Sequence, residues 1–107
     1  SRLGIRTWNA GVCCGYAAEN NIDDVGFISA MIDKLRSAVN IDTNRIYATG
    51  MSNGGFMSYR LACELSHRIA AIAPVAASLT VEPCVPSRPI PTIHFHSTED
   101  KSILYQG

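Results

Sequence analysis

Ser52 stands in the run Gly50-Met51-Ser52-Asn53-Gly54-Gly55. Gly50, Ser52 and Gly54 fill the G-x-S-x-G pattern of a strand-to-helix turn so tight that side chains at the two flanking positions are expected to collide with their neighbours. Such a turn, a nucleophile elbow, thrusts a hydroxyl out beside a helix N-terminus. The Asn53 N–H there has no intrahelical acceptor and is free to receive a developing oxyanion. The chemistry this suits is acyl transfer, with Ser52 as nucleophile, Asn53 as an oxyanion-hole donor, and Gly50 and Gly54 as the glycines of the elbow.

A carboxylate pair follows downstream in His96-Ser97-Thr98-Glu99-Asp100. A triad acid accepts the Nδ1 hydrogen of an imidazole, fixing its tautomer and stabilising the imidazolium while Nε2 takes the serine proton. Asp100 is the expected acid and Glu99 the fallback. None of the three histidines, His67, His94 and His96, follows the acid in the chain, so none is assigned as the base. His94 and His96 share a strand face two residues apart and are read as structural or pocket-lining. No third ligand has the spacing to join them in a metal site.

The elements around these residues are legible from periodicity and turn chemistry. Val25, Ile28, Ile32, Leu35 and Val39 recur at three- and four-residue steps, predicting a helix from Asp23 or Asp24 to about Ala38 with one buried face. Acids at its start and Lys34 and Arg36 near its end complement the helix dipole, which gives Asp23 and Asp24 a structural rather than a catalytic reading. The turn-rich Asp42-Thr43-Asn44 leads into a strand at Ile46-Tyr47-Ala48. After the elbow, Met57, Leu61 and Leu65 predict a helix continuing to about Ser66. Ile69 to Ala77 is a continuous apolar run, as expected of a strand covered on both faces, and Pro74 within it argues against a helix. Val81 to Pro91, rich in proline, reads as a crossover without a full helix; Pro91 to His96 reads as a third strand, and Ser97 to Gly107 as the loop at its carboxyl end. Ser1 to Asn21 reads as loop, with Trp8 packed beneath it and a pocket-lining role as the alternative.

Composition narrows the classes further. Net charge is +0 and charged residues make up 17% of the 107 residues, with no basic run and no aromatic-basic interleaving, which excludes a nucleic-acid footprint. The longest apolar stretch is interrupted by Pro74 and too short for a bilayer, so no membrane partner is expected. Cys13, Cys14, Cys63 and Cys84 lack the C-x-x-C spacing of a zinc site. An even count permits two disulfides. The adjacent Cys13 and Cys14 are poorly placed to bond each other, so bridges are expected from that pair to Cys63 and Cys84, with four reduced thiols as the alternative.

Strand, helix, strand, crossover, strand describes part of an open parallel sheet whose ligands bind outside the carboxyl ends of the strands, where Ser52 and Asp100 both fall. Nucleophile before acid is the order of the α/β-hydrolase fold. The elbow, the preceding Asp23-Asp24-Val25-Gly26-Phe27, and Arg88-Pro89-Ile90-Pro91 leading to His96-Ser97-Thr98-Glu99-Asp100 resemble the polyhydroxybutyrate depolymerase-like esterases, which include feruloyl and acetylxylan esterases. The resemblance covers nearly the whole chain, departing at Ser97, where the family usually has glycine. It implies a secreted α/β-hydrolase that cleaves carboxylic esters through a serine acyl-enzyme, without a cofactor, on a hydroxyacid polyester or on feruloyl or acetyl esters of plant polysaccharide. It also implies that residues 1–107 are the central part of a single domain, with early strands, a second oxyanion donor and a histidine-bearing terminal strand outside them. A serine peptidase of the same fold and a noncatalytic hydrolase-like binding protein or truncated relic are the alternatives.

Overall fold

The computed structural model describes residues 4–107; residues 1–3 of the predicted leading loop lie outside the described residues. The elements in order are α1 (Gly15–Glu19), α2 (Asp24–Ala38), β1 (Tyr47–Met51), α3 (Asn53–Glu64) and β2 (Ala71–Val75). The architecture is α/β, with β1 and β2 parallel and in register from Tyr47 opposite Ala71 to Met51 opposite Val75. Parallel neighbours need a crossover, and α3 supplies it.

Residues 91–96 add a partial third strand on the far side of β2. Bridges pair Ile72 with Thr92 and Val75 with Phe95, both parallel. The Ile93 N–H donates to Ile72 O at 3.1 Å, the Phe95 N–H to Pro74 O at 3.0 Å, and the Ala76 N–H to Phe95 O at 2.8 Å. Pro91 and Pro74 contribute only acceptors here, which keeps the ladder short. Between β2 and this segment the chain crosses without a helix, as expected of so short a connection.

The register sorts side chains to two faces. Ala48, Gly50, Ile72, Pro74, His94 and His96 share the face on which α3 packs, and Phe56, Met57, Leu61 and Leu65 meet Ile69, Ile72 and Ala77 in the core. The opposite face presents Tyr47, Met51, Ile93 and Phe95 at 51–72% exposure. The apolar run of β2 is therefore covered on one face rather than both. Continuous hydrophobicity states that a strand is suited to burial on two sides; whether a second layer is present is decided elsewhere in the chain.

Helix α2 also departs from expectation. Ile32 is buried and Val25 and Ile28 are partly so, but Leu35 and Val39 are 43% and 55% exposed. Its carboxyl half leaves the core, and attachment passes to Arg68, which donates to the Ser29 carbonyl at 2.8 Å and pairs with Asp33. The leading stretch, predicted as loop, contains the short helix α1, too brief to show a period.

The cysteine pairing differs from the sequence expectation. Cys63 on α3 bonds Cys84 in the crossover, with Cα atoms 5.1 Å apart, and the sulfurs of Cys13 and Cys14 adjoin each other rather than reaching to the other two. The reason is topological: the crossover after β2 passes over α3, while Cys13 and Cys14 lie on the segment held to the start of that helix. This bridge and the hydrogen bond of Ser66 to Ser87 tie the proline-rich connection down.

Candidate active site

The turn at Ser52 combines three constraints. Its N–H donates to Val75 O at 2.9 Å, continuing the β1–β2 ladder, and its carbonyl accepts the Phe56 N–H at 2.9 Å, opening α3. Serving strand and helix at one residue forces Ser52 to φ 53° and ψ −118°. A non-glycine residue in such a region costs on the order of 1–3 kcal/mol, offset by the packing on either side. The result is an exposed serine at the N-cap of α3, beside the first N–H groups of that helix, which have no intrahelical acceptor.

The flanking glycines do not have equivalent reasons. A Cβ on Gly50 would lie 2.5 Å from the Gly54 carbonyl carbon and 2.6 Å from its oxygen. A Cβ on Gly54 would meet nothing within 4 Å, so steric exclusion, expected at both flanks, operates at Gly50 and not at Gly54. The close approach falls instead at Gly55, whose Cβ would lie 2.7 Å from Ala77 Cβ and 2.9 Å from Val75 O. Gly54 faces outward at the start of the helix, whereas Gly55 faces the sheet.

Asn53 does more than offer its backbone N–H. Its side-chain Oδ1 accepts the Trp8 N–H at 2.7 Å and its Nδ2 donates to Trp8 O at 2.9 Å, so one amide clamps both polar groups of one residue. The neighbouring Asn9, 3% exposed, is pinned at four points. Its N–H donates to Asp24 Oδ2 at 2.7 Å, its carbonyl accepts from Arg60 at 2.6 Å, its Nδ2 donates to Ile22 O at 2.9 Å, and its Oδ1 accepts the Gly11 N–H at 3.1 Å. Asp24 thus has a buried structural role, and Asp23 caps α2 by accepting the Gly26 N–H at 2.9 Å. Sequence reasoning missed the Asn53 clamp. The available signal was an amide side chain, both donor and acceptor, adjacent to the serine.

Trp8 is held in this way at the edge of the elbow. It is 39% exposed, its ring centroid lies 6.5 Å from that of Phe27, and it lines a cavity of about 480 Å³ with Ile5, Tyr16 and Ile22. It is not a packing residue hidden beneath a loop, because its backbone, rather than its ring, makes the anchoring contacts.

Asp100 follows the third strand segment. Its Oδ1 accepts the N–H groups of Ile103 and Ser102, each at 2.9 Å, and these two backbone bonds hold its carboxyl below the usual carboxylate range. The carboxylate is therefore ionised at neutral pH, with Oδ2 3.4 Å from His96 Nε2. Glu99 is exposed, with its N–H donating to Ser97 Oγ at 3.1 Å. Ser52 and Asp100 fall at the same, carboxyl edge of the parallel strands, separated by β2, and among the described residues no hydrogen bond joins them. His67 lies at the opposite edge, ahead of β2, near Thr43 and Asn44. Among the described residues no group of three or more His, Cys, Asp or Glu side chains converges as a metal site, and no helix is long and apolar enough to cross a membrane.

An α/β chain with an exposed serine on a strained strand-to-helix turn has relatives among esterases. The chain is 40% identical to a feruloyl esterase B of Piromyces equi across 95% of its own length and 19% of that protein. It is 35% identical to a bifunctional acetylxylan esterase/xylanase of Neocallimastix patriciarum, over 78% of this chain and 12% of that one. It is 30% identical to a probable feruloyl esterase C of Aspergillus niger, over 91% of this chain and 36% of that one. These similarities support a feruloyl esterase-like family, and the chain spans well under half the length of each of these relatives. No protein-family model matches the chain.

Proposed function

We propose that these residues belong to a serine carboxylic-ester hydrolase of the α/β-hydrolase fold that removes feruloyl or acetyl groups from plant polysaccharide. The observation that carries the reading is the Ser52 turn, with its φ of 53° and exposed hydroxyl at the N-terminus of α3, in a chain 40% identical to a feruloyl esterase. Ser52 Oγ attacks the ester carbonyl. The Asn53 N–H donates to the oxyanion, the alcohol departs, and water then hydrolyses the acyl-enzyme. Asp100, ionised and with Oδ2 free of backbone donors among the described residues, is the acid that orients the imidazole.

The reading leaves the general base to a histidine outside residues 1–107, because His94 and His96 are engaged with each other. The Cys63–Cys84 bridge supports an oxidising, extracellular setting. A polyester substrate, also implied by the sequence resemblance, has less support, since the relatives named above are feruloyl and acetylxylan esterases.

The test is hydrolysis of methyl ferulate, acetylated xylan and a polyhydroxybutyrate film by the intact protein and its Ser52→Ala variant. Substitution of the nucleophile is expected to lower kcat by roughly a millionfold. Retained turnover in that variant refutes the assignment. Faster cleavage of a peptide anilide than of an aryl ester favours a peptidase, and substrate binding without turnover in the wild type favours a noncatalytic protein.

A further inference from the structure

We infer that His96 is a positioning residue for Asp100, held in a single tautomer by a hydrogen-bonded chain that runs through His94 to Tyr59 on α3. The inference rests on the proposed role of Asp100 and goes beyond it by naming what orients that acid. Tyr59 OH lies 2.7 Å from His94 Nδ1, His94 Nε2 lies 3.0 Å from His96 Nδ1, and His96 Nε2 lies 2.6 Å from Ile103 O and 3.4 Å from Asp100 Oδ2.

The direction of donation follows from the end of the chain. The Ile103 carbonyl is only an acceptor, so His96 carries its proton on Nε2. In a neutral ring Nδ1 is then an acceptor, and it receives the Nε2 hydrogen of His94. The Nδ1 of His94 is in turn an acceptor and receives the Tyr59 hydroxyl hydrogen. Every position is satisfied once, with both rings in the Nε2–H form. The ring geometry agrees: the two imidazole planes are 21° apart with centroids 5.2 Å apart, a separation matching an edge-to-edge N–H···N bond between nearly coplanar rings. The Tyr105 ring meets His96 edge-on at 6.0 Å and adds no charge there.

The arrangement solves a positional problem. The two backbone donors on Asp100 Oδ1 belong to its own loop, so they orient the carboxylate within the loop but not the loop against the sheet. The bond from His96 to Ile103 spans residues 97–102 and fixes the loop to the strand segment beneath it. The His96 side chain is 5% exposed, which shields that bond from water. Tyr59 then refers the position to α3, the helix that begins immediately after Ser52. Nucleophile and acid, which share no hydrogen bond, are thereby set from one helix.

The experiment compares His96→Leu, His96→Gln and Tyr59→Phe in the intact protein, with Ser52→Ala as the control for the esterase reading. Leucine removes the donor to Ile103, and glutamine offers a replacement near the position of Nε2. A misplacement of about 1 Å at a reacting group costs up to about 10²-fold. His96→Leu is expected to lower kcat by roughly ten- to a hundredfold with KM nearly unchanged, and His96→Gln to recover most of the loss. Nitrogen-15 ring spectra of the wild type are expected to show His94 and His96 as Nε2–H tautomers, with Tyr59→Phe releasing His94 into a mixture. If Ser52→Ala silences the protein while His96→Leu keeps kcat within about twofold, the positioning role is overturned and the esterase reading survives. An Nδ1–H tautomer at His96 also overturns it. If Ser52→Ala leaves hydrolysis intact, the reading falls and the inference with it.

Discussion

Adding one methyl group at Gly50 or at Gly54 is expected to change stability in opposite directions, although the serine motif treats the two glycines alike. At Gly50 the new Cβ would sit 2.5, 2.6 and 2.8 Å from three backbone atoms of Gly54. Carbon atoms in favourable contact lie about 3.5–4.0 Å apart, so each overlap is about 1 Å and no side chain is available to yield. Relief requires moving β1 away from α3, at the upper end of the roughly 1–3 kcal/mol typical of overpacking. At Gly54 the Cβ meets nothing within 4 Å, and alanine in a helix is favoured over glycine by about 0.5–1 kcal/mol. The two variants should therefore differ by about 2–4 kcal/mol, obtained by combining these two costs. Urea unfolding of the intact protein reads this directly: with a slope near 2 kcal/mol/M, the midpoints should lie about 1–2 M apart. Equal midpoints, or a lower one for Gly54→Ala, refute the assignment of the close approach to Gly50.

Other outcomes follow from the same structure. Gly55→Ala is expected to behave like Gly50→Ala, by about 1–3 kcal/mol, because its Cβ would meet Ala77 Cβ at 2.7 Å; the same urea titration measures it. Replacing both Cys63 and Cys84 by alanine opens a bridge of sequence separation 21, and chain entropy puts the loss at about 3 kcal/mol, read as a lowered unfolding free energy. Asp24→Ala leaves the buried Asn9 N–H without its acceptor and is expected to cost about 1–3 kcal/mol, with faster amide hydrogen exchange at Trp8 and Asn9. Asp100 has a folded-state pKa below its unfolded value, so its contribution is present above the unfolded pKa and is lost as pH falls through the folded pKa. Asp100→Asn should therefore be less stable than the wild type at pH 6, with the two converging in strong acid. Residues 1–107 expressed alone should associate through the sheet face that carries Tyr47, Met51, Ile93 and Phe95; a monodisperse monomer in light scattering, with a sharp thermal transition, contradicts this.

The sequence alone determined the parts governed by local chemistry. Gly50 to Gly55 marked the end of a strand, a strained serine and the start of a helix, because few residue types tolerate that junction. Asp23 and Asp24 marked the start of α2, since an N-terminus needs acceptors and favours negative charge. Residues 81–91, rich in proline and short for a parallel connection, were legible as a crossover without a full helix. The order of Ser52 and Asp100 along the chain, and their place at the carboxyl edge of parallel strands, were likewise legible.

Tertiary structure decided whatever depends on which distant surfaces meet. Only the approach of β1 to α3, and of α3 to β2, shows that Gly50 and Gly55 exclude a side chain while Gly54 does not. Only the path of the crossover over α3 pairs Cys84 with Cys63, and only the sheet's single covered face leaves Phe95 and Met51 outside. The clamp of Asn53 on Trp8 spans 45 residues of sequence, and the bond of Tyr59 to His94 spans 35. Spacing along a chain reports the period of one element, whereas such pairs are created by packing between elements; that is why the sequence marked the candidate residues and the fold supplied what holds them.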